Sequence, residues 1–172
     1  MKKIPDIFTH IMIGLSIGLI IEREYNHESF LMLALGSIII DIERPFVWVI
    51  DWLNLPLYGL TSGFHSILGA LVLCYVVTNL FHGDGIELRN RYVLLLIGAV
   101  SHLILDMTMY PWEERGIFLL YPIRIAFSFN LFWTDYFLYP LYGIITLGIA
   151  FALHKIRESM LNHRDDTFSK NH

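Results

Sequence analysis

The stretch "YVLLLIGAVSHLILDMTMY" at residues 92–110 determines how the rest of the chain is interpreted. It is apolar almost throughout, and it is long enough to cross a hydrocarbon core of about 30 Å as an α-helix. It nevertheless contains His102 and Asp106. An aspartate at the centre of a membrane helix costs roughly 2.5–3.5 kcal/mol, so polar residues at this depth indicate a function or a compensating partner.

The composition favours the bilayer as the solvent of the whole chain. Of 172 residues, 55% are hydrophobic and 16% are charged, and the mean hydropathy is +0.55. These values predict a single integral, multi-pass cell membrane protein. The net charge of −4, without a basic block, argues against a nucleic-acid partner. The single cysteine, Cys74, excludes an intramolecular disulfide.

The hydropathy pattern predicts an all-α integral membrane bundle of about five transmembrane helices. An interfacial or re-entrant segment, which Pro45 and Pro56 interrupt and which carries Trp48 and Trp52, follows the second helix at residues 44–60. We expect residues 1–154 to form a single transmembrane metal-site domain, and residues 155–172 to form a charged, solvent-exposed tail. The predicted spans cover residues 7–21, 29–42, 63–81, 92–110 and about 132–154.

Seven ionisable side chains lie within or at the edge of these spans, and the alternating directions of the spans place all of them at similar depth. If the N-terminus defines one side of the membrane, each of the seven falls in the half nearest that side, whereas unrelated polar residues would scatter over both halves. For any single residue, a position at the membrane edge or an internal hydrogen bond is an adequate explanation. The seven residues are His10, Asp41, Glu43, His65, His102, Asp106 and Asp135.

These residue types are suited to a divalent metal ion. His102 and Asp106 are four residues apart, so they share one face of a helix. Imidazole and carboxylate ligands suit zinc, with manganese or iron as alternatives, and the seven candidates exceed the needs of one ion. A bound cation would also neutralise the buried carboxylates. We therefore predict all seven residues as metal ligands or as close partners of the ligands.

Four short motifs follow one another along the chain, namely "TH", "LGSIIIDIE", "FHS" and "SHLILD". In this order they resemble the YdjM-like family of membrane-bound, metal-dependent hydrolases, also described as LexA-binding, inner-membrane-associated hydrolases, and the resemblance extends to about Asp135. "SHLILD" matches best, with His102 and Asp106 on the histidine and aspartate of the family. The "PDxD" element of the family falls on residues 40–43, where the proline is absent and Glu43 replaces the second aspartate.

Two classes of function are consistent with these residues. The first is a hydrolase that cleaves a phosphoester of a membrane lipid by metal-activated water, with Asp41 or Glu43 as general base and His65 as a further catalytic candidate. Arg124 could then bind phosphate, although a headgroup contact explains it equally well. The second class is an ion or proton transporter or sensor that uses the same cluster. A third alternative is a scaffold in which the metal only stabilises the fold.

Overall fold

The computed structural model describes residues 7–22, 26–55, 63–81, 87–108, 117–129, 131 and 138–169. These residues form an all-helical protein, as the sequence predicts. Within the described ranges, the only extended pairing is an isolated antiparallel bridge between Ile117 and Phe127. The helices are α1 (Ile7–Ile21), α2 (His27–Ile39), α3 (Arg44–Trp52), α4 (Ile67–Leu80), α5 (Leu88–Thr108) and α6 (Tyr139–Ser169).

The helix bounds agree with the predicted spans in some places and shift in others. The bounds of α1 are the predicted ones, whereas α5 begins at Leu88 and so includes Arg89 and Arg91 in its first turn. Two helices, Leu88–Thr108 and Tyr139–Leu161, are long and apolar enough to cross a membrane. The apolar helices α1 and α4 are shorter. The start of the fifth predicted span, including residues 132–137, lies outside the described residues.

The helices pack in the lateral order α6, α1, α2, α5, α4, with α2 and α5 at the centre. Leu33 and Ile40 from the second span, Leu95 and Ala99 from α5, and Cys74 from α4 are almost completely buried in the main core. The core is therefore formed where α2, α4 and α5 meet. Exposed apolar side chains on the outward faces are consistent with a protein surrounded by lipid.

Glycines allow the central helices to approach closely. A Cβ atom at Gly36 would lie 2.2 Å from the carbonyl oxygen of Leu95, and one at Gly98 would lie 2.4 Å from that of Leu33. The sequence also predicts close packing at Gly14 and Gly18, and the structure confirms it. Gly14 lies against the backbone of Leu33, and Gly18 lies against the ring of Phe30. Small residues of this kind are the usual means by which membrane helices pack.

Contacts at the two ends of α1 and α6 establish the relative direction of these helices. His154 Nδ1 on α6 lies 3.0 Å from the carbonyl oxygen of Leu19, and Arg157 Nη1 donates to the carbonyl oxygen of Ile20 at 2.8 Å. Gly143 packs near Thr9 at the other end, so α1 and α6 run parallel. Helix α6 continues past residue 154 to Ser169 without a break. The predicted domain boundary at residues 154 and 155 therefore has no counterpart in a helix end, and it stays a prediction.

Candidate metal centre

Pro45 causes the local structure that carries two of the predicted carboxylates. Proline has no backbone N–H, so the carbonyl of Asp41, four residues earlier, cannot accept the usual α-helical bond. The N–H of Arg44 bonds to the Asp41 carbonyl instead, and residues Ile40–Glu43 form a 3-10 helix. Residues two apart lie about 120° apart around a 3-10 helix, compared with about 160° around an α-helix. Asp41 and Glu43 are both buried as a result, whereas Ile42 is 50% exposed.

The close crossing of α2 and α5 orients His102. Gly98 lies one turn before His102, and Gly36 immediately precedes Ser37. Because the two backbones approach so closely there, His102 Nδ1 lies 2.7 Å from the carbonyl oxygen of Ser37. A carbonyl oxygen can only accept, so Nδ1 is the donor in that bond, and Nε2 points toward Asp106. A backbone acceptor of this type is a common partner of a metal-binding histidine.

His10 and His65 reach the same place from two other elements. His10 lies in the first turn of α1, and its ring stacks on the ring of His102 with centroids 4.0 Å apart. His65 precedes Ser66, whose hydroxyl accepts a hydrogen bond from Gly69 N and so caps the first turn of α4. The ring of His65 lies 5.6 Å from that of His102. Two helices and one turn thus contribute three imidazoles to a single cluster.

Asp106 connects the three imidazoles. Its Oδ1 atom lies 3.2 Å from His10 Nε2, and its Oδ2 atom lies 3.1 Å from His102 Nε2. The same Oδ2 atom is 3.6 Å from His65 Nε2. Each histidine therefore directs its Nε2 atom toward one carboxylate.

Asp41 forms the opposite side of the cluster. Its Oδ1 atom lies 3.5 Å from His65 Nε2 and 3.6 Å from His102 Nε2. Arg44 Nη2 approaches the same oxygen at 2.8 Å. Glu43 lies behind His65 rather than facing the centre of the cluster, with its Oε1 atom 2.7 Å from His65 Nδ1. This carboxylate fixes the orientation of the imidazole and leaves His65 Nε2 directed at Asp41 and Asp106.

The donor atoms fit a divalent cation. Two groups of three each have ligand atoms within 4.8 Å of one another, namely His10, His102 and Asp106, and Asp41, His65 and His102. Zinc bonds of about 2.0–2.1 Å in a tetrahedral site separate adjacent ligand atoms by about 3.3–3.4 Å. The distances from histidine Nε2 atoms to the carboxylate oxygens of Asp41 and Asp106 are 3.1–3.6 Å, a range that includes this tetrahedral separation.

Unsatisfied polar atoms support the same interpretation. His10 Nε2, His102 Nε2 and both carboxylate oxygens of Asp41 are buried without a well-formed hydrogen bond. Leaving such atoms unpaired costs about 1–3 kcal/mol each, so native proteins rarely tolerate several of them together. A cation in either ligand group would satisfy some of these atoms, namely the two imidazole nitrogens in the first group, or Asp41 and His102 in the second.

The cluster has a closed floor and a more open mouth. The side chains of His10 and His102 are 0% exposed, whereas those of His65 and Arg44 are 18% and 20% exposed. A small molecule would therefore approach from the side of the 3-10 helix and the turn before α4. Arg124 lies exposed in the connector between α5 and α6.

Six of the seven sequence-predicted site residues meet in this cluster, and Asp135 lies outside the described residues. Sequence reasoning missed two contributors, the carbonyl of Ser37 and the guanidinium of Arg44. A backbone carbonyl such as that of Ser37 cannot be recognised from residue type. The contact of Arg44 could have been predicted, since Arg44 is three residues from Asp41, at the spacing that brings side chains together on a helix.

Comparison with known proteins identifies the family of the chain. The model of one family, described as YdjM inner membrane protein, matches residues 6–163 and so includes all of the described cluster. A search of curated proteins found no match. A search of solved structures also found none. The matched residues also include both helices that are long and apolar enough to cross a membrane. The chain therefore belongs to the YdjM inner membrane protein family and is a multi-pass membrane protein.

Proposed function

We propose that this protein is a membrane-embedded, metal-dependent hydrolase that cleaves a phosphoester of a membrane lipid. The observation that carries the proposal is the cluster itself, in which three imidazole Nε2 atoms surround Asp106 at 3.1–3.6 Å at one end of an apolar bundle. Zinc suits these ligands best, ahead of manganese or iron. Because both ligand groups use His102, whose Nδ1 is engaged by Ser37, they describe alternative positions of one ion, and a second ion would need further donors.

The proposed topology has five crossing helices, α1, α2, α4, α5 and α6, with α3 lying at the membrane interface. Trp48 and Trp52 on α3 are 68% and 81% exposed, and aromatic residues of this kind favour headgroup depth. The shorter crossing helices, α1, α2 and α4, have 15, 13 and 14 residues and are only about 20–23 Å long at 1.5 Å per residue. Thinning of the bilayer around them would bring the headgroups closer to the cluster.

The protein residues divide the chemical work. His10, His102 and Asp106 at the floor would hold the ion, which would supply a Lewis acid and make a water molecule more acidic. His65 and Glu43 at the mouth form the proton-transfer pair. Nε2 of His65 takes the proton of the attacking water, while Glu43 stabilises the resulting imidazolium through Nδ1. Oxygen from water bonds to phosphorus, the ester bond breaks, and the departing alcohol takes a proton from His65. Asp41 serves as a further ligand or as the alternative base.

The serines next to the histidines are engaged elsewhere, which supports direct attack by water. Ser66 Oγ donates to the Gly63 carbonyl while it caps α4, and Ser101 Oγ donates to the Gly98 carbonyl at 2.7 Å. The polar side chains farther along α4 also bond within their own helix. Thr78 Oγ1 donates to the Cys74 carbonyl, and Asn79 Nδ2 donates to the Tyr75 carbonyl. Their engagement favours hydrolysis over a conduction path across the membrane.

Metal analysis followed by a lipid hydrolysis screen tests the proposal. The detergent-purified protein should contain zinc or a related divalent ion, and it should hydrolyse a labelled phospholipid in liposomes. In water enriched in heavy oxygen, label should enter the phosphate product within a single turnover. Turnover that persists after verified removal of the metal would refute the mechanism. If ions cross the liposome membrane in a metal-dependent way and no lipid is cleaved, ion transport becomes the favoured function in place of hydrolysis.

A further inference from the structure

Arg44 occupies a distinctive position at the mouth of the cluster. It ends the 3-10 helix and begins α3, and its Nη2 atom lies 2.8 Å from Asp41 Oδ1. The same oxygen is 3.5–3.6 Å from the Nε2 atoms of His65 and His102. The guanidinium is therefore separated from two candidate ligand nitrogens by a single carboxylate oxygen. Its side chain is 20% exposed, whereas that of Asp41 is 5% exposed.

The charges around Arg44 indicate what it can bind. Asp41, Glu43 and Asp106 contribute three negative charges and Arg44 contributes one positive charge, so the cluster carries two net negative charges when its histidines are neutral. An anion would be repelled by this arrangement. One divalent ion cancels the excess, and it also shares the charge of Asp41, which weakens the hold of that carboxylate on Arg44. A metal-loaded site thus presents a cation and a guanidinium side by side.

We propose that Arg44 is a phosphate-binding residue, which donates to the oxygens of a substrate phosphoryl group once a divalent ion has engaged Asp41. This inference rests on the proposed function, because it names the substrate group that the same site would hold. Arginine suits the task because its planar fork can donate two parallel hydrogen bonds to one phosphate. The alternative is that Arg44 only holds Asp41 in position. That role predicts a change in metal binding and no specific change in phosphate binding.

The test uses the full-length protein in detergent, loaded with zinc, with inorganic phosphate as the probe. Zinc stoichiometry and phosphate affinity are measured by titration calorimetry for the wild type, Arg44→Gln, Arg44→Lys and Arg89→Gln. Arg89 provides the matched control, since it is an exposed arginine in the first turn of α5, at the opposite end of that helix from His102 and Asp106. We expect Arg44→Gln to retain zinc and to bind phosphate at least about tenfold more weakly, as loss of a charge-assisted hydrogen bond implies. Arg44→Lys should fall in between, and Arg89→Gln should match the wild type.

Three results would overturn the inference: unchanged phosphate binding in Arg44→Gln, loss of zinc in that variant, or an equal loss of phosphate binding in Arg89→Gln. If Arg44→Gln does not fold, Arg44→Lys decides the question, because it keeps the charge and loses the fork. Weaker phosphate binding with unchanged zinc in that variant supports the inference, and unchanged binding refutes it.

A second arm compares glycerol 3-phosphate with a short-chain phosphatidate, which has the same headgroup and adds acyl chains. Tighter binding of the phosphatidate identifies a lipid as the source of the phosphate, and equal binding identifies a soluble phosphate. Both results require Arg44 if the inference is right. A protein that binds phosphate through Arg44 and cleaves no lipid would retain this inference and lose the proposed hydrolase. If the protein cleaves lipid and Arg44→Gln leaves phosphate binding and KM unchanged, the proposed hydrolase is retained and this inference is lost.

Discussion

Substitution of Gly98 by alanine should weaken metal binding, although Gly98 is not itself a candidate metal ligand. The new Cβ atom would lie 2.4 Å from the Leu33 carbonyl oxygen and 2.7 Å from the backbone nitrogen of Ser37. Ordinary contact for a Cβ atom begins at 3.4 Å. Because the obstructing atoms belong to the backbone of α2, no side-chain rotation relieves the clash. The two helices must separate by about 1 Å if packing is to be restored.

That displacement reaches the cluster through His102. The distance of 2.7 Å between His102 Nδ1 and the Ser37 carbonyl oxygen would lengthen toward about 3.7 Å, which is beyond hydrogen-bond range. Loss of such an orienting contact typically lowers metal affinity about 10- to 100-fold, and we expect this range for zinc. The overall stability should change less. Overpacking costs about 1–3 kcal/mol, while alanine gains about 1 kcal/mol over glycine in helix propensity.

The assay is a competitive zinc titration against a chromophoric chelator in detergent, with thermal unfolding of the same samples. Gly148→Ala provides the matched control, because a Cβ atom at Gly148 on α6 meets nothing within 4 Å. The control should bind zinc as the wild type does and should unfold at the same temperature or slightly higher. A folded Gly98→Ala protein with zinc affinity within about twofold of the wild type would refute the argument that helix spacing sets the cluster.

Three other substitutions test separate parts of the structure. His102→Ala should abolish stoichiometric zinc binding, whereas His27→Ala, at the exposed start of α2, should leave it intact; equal loss in both variants would contradict the assignment. Glu43→Gln should retain zinc but lower kcat by about 10²–10⁴-fold, because it removes the carboxylate behind His65 Nδ1, and an unaffected kcat would exclude the proton-transfer role. Arg91→Ala should cost about 1–3 kcal/mol of stability, measured by thermal unfolding, with zinc binding unchanged, because its buried guanidinium donates to the Phe81 carbonyl at the end of α4.

Much of the fold follows from the sequence because hydropathy and helix length are local properties. The bounds of α1 could be predicted from its apolar run between charged ends, and the packing role of Gly14 and Gly18 from their spacing. The predicted span begins at residue 92, four residues after the start of α5, because the preceding stretch with Arg89 and Arg91 has the composition of a polar turn. Buried Arg91 is tolerated there through its contact with the end of α4, which hydropathy does not reveal.

The sequence by itself determined that the polar residues lie at the same end of the helices, because the rise per residue and the alternating helix directions define position along a bundle. The tertiary structure alone decided how they face one another. Glu43 supports His65, Arg44 pairs with Asp41, and the carbonyl of Ser37 orients His102. These relations depend on the rotation and spacing of packed helices, which are set by contacts between residues far apart in the chain.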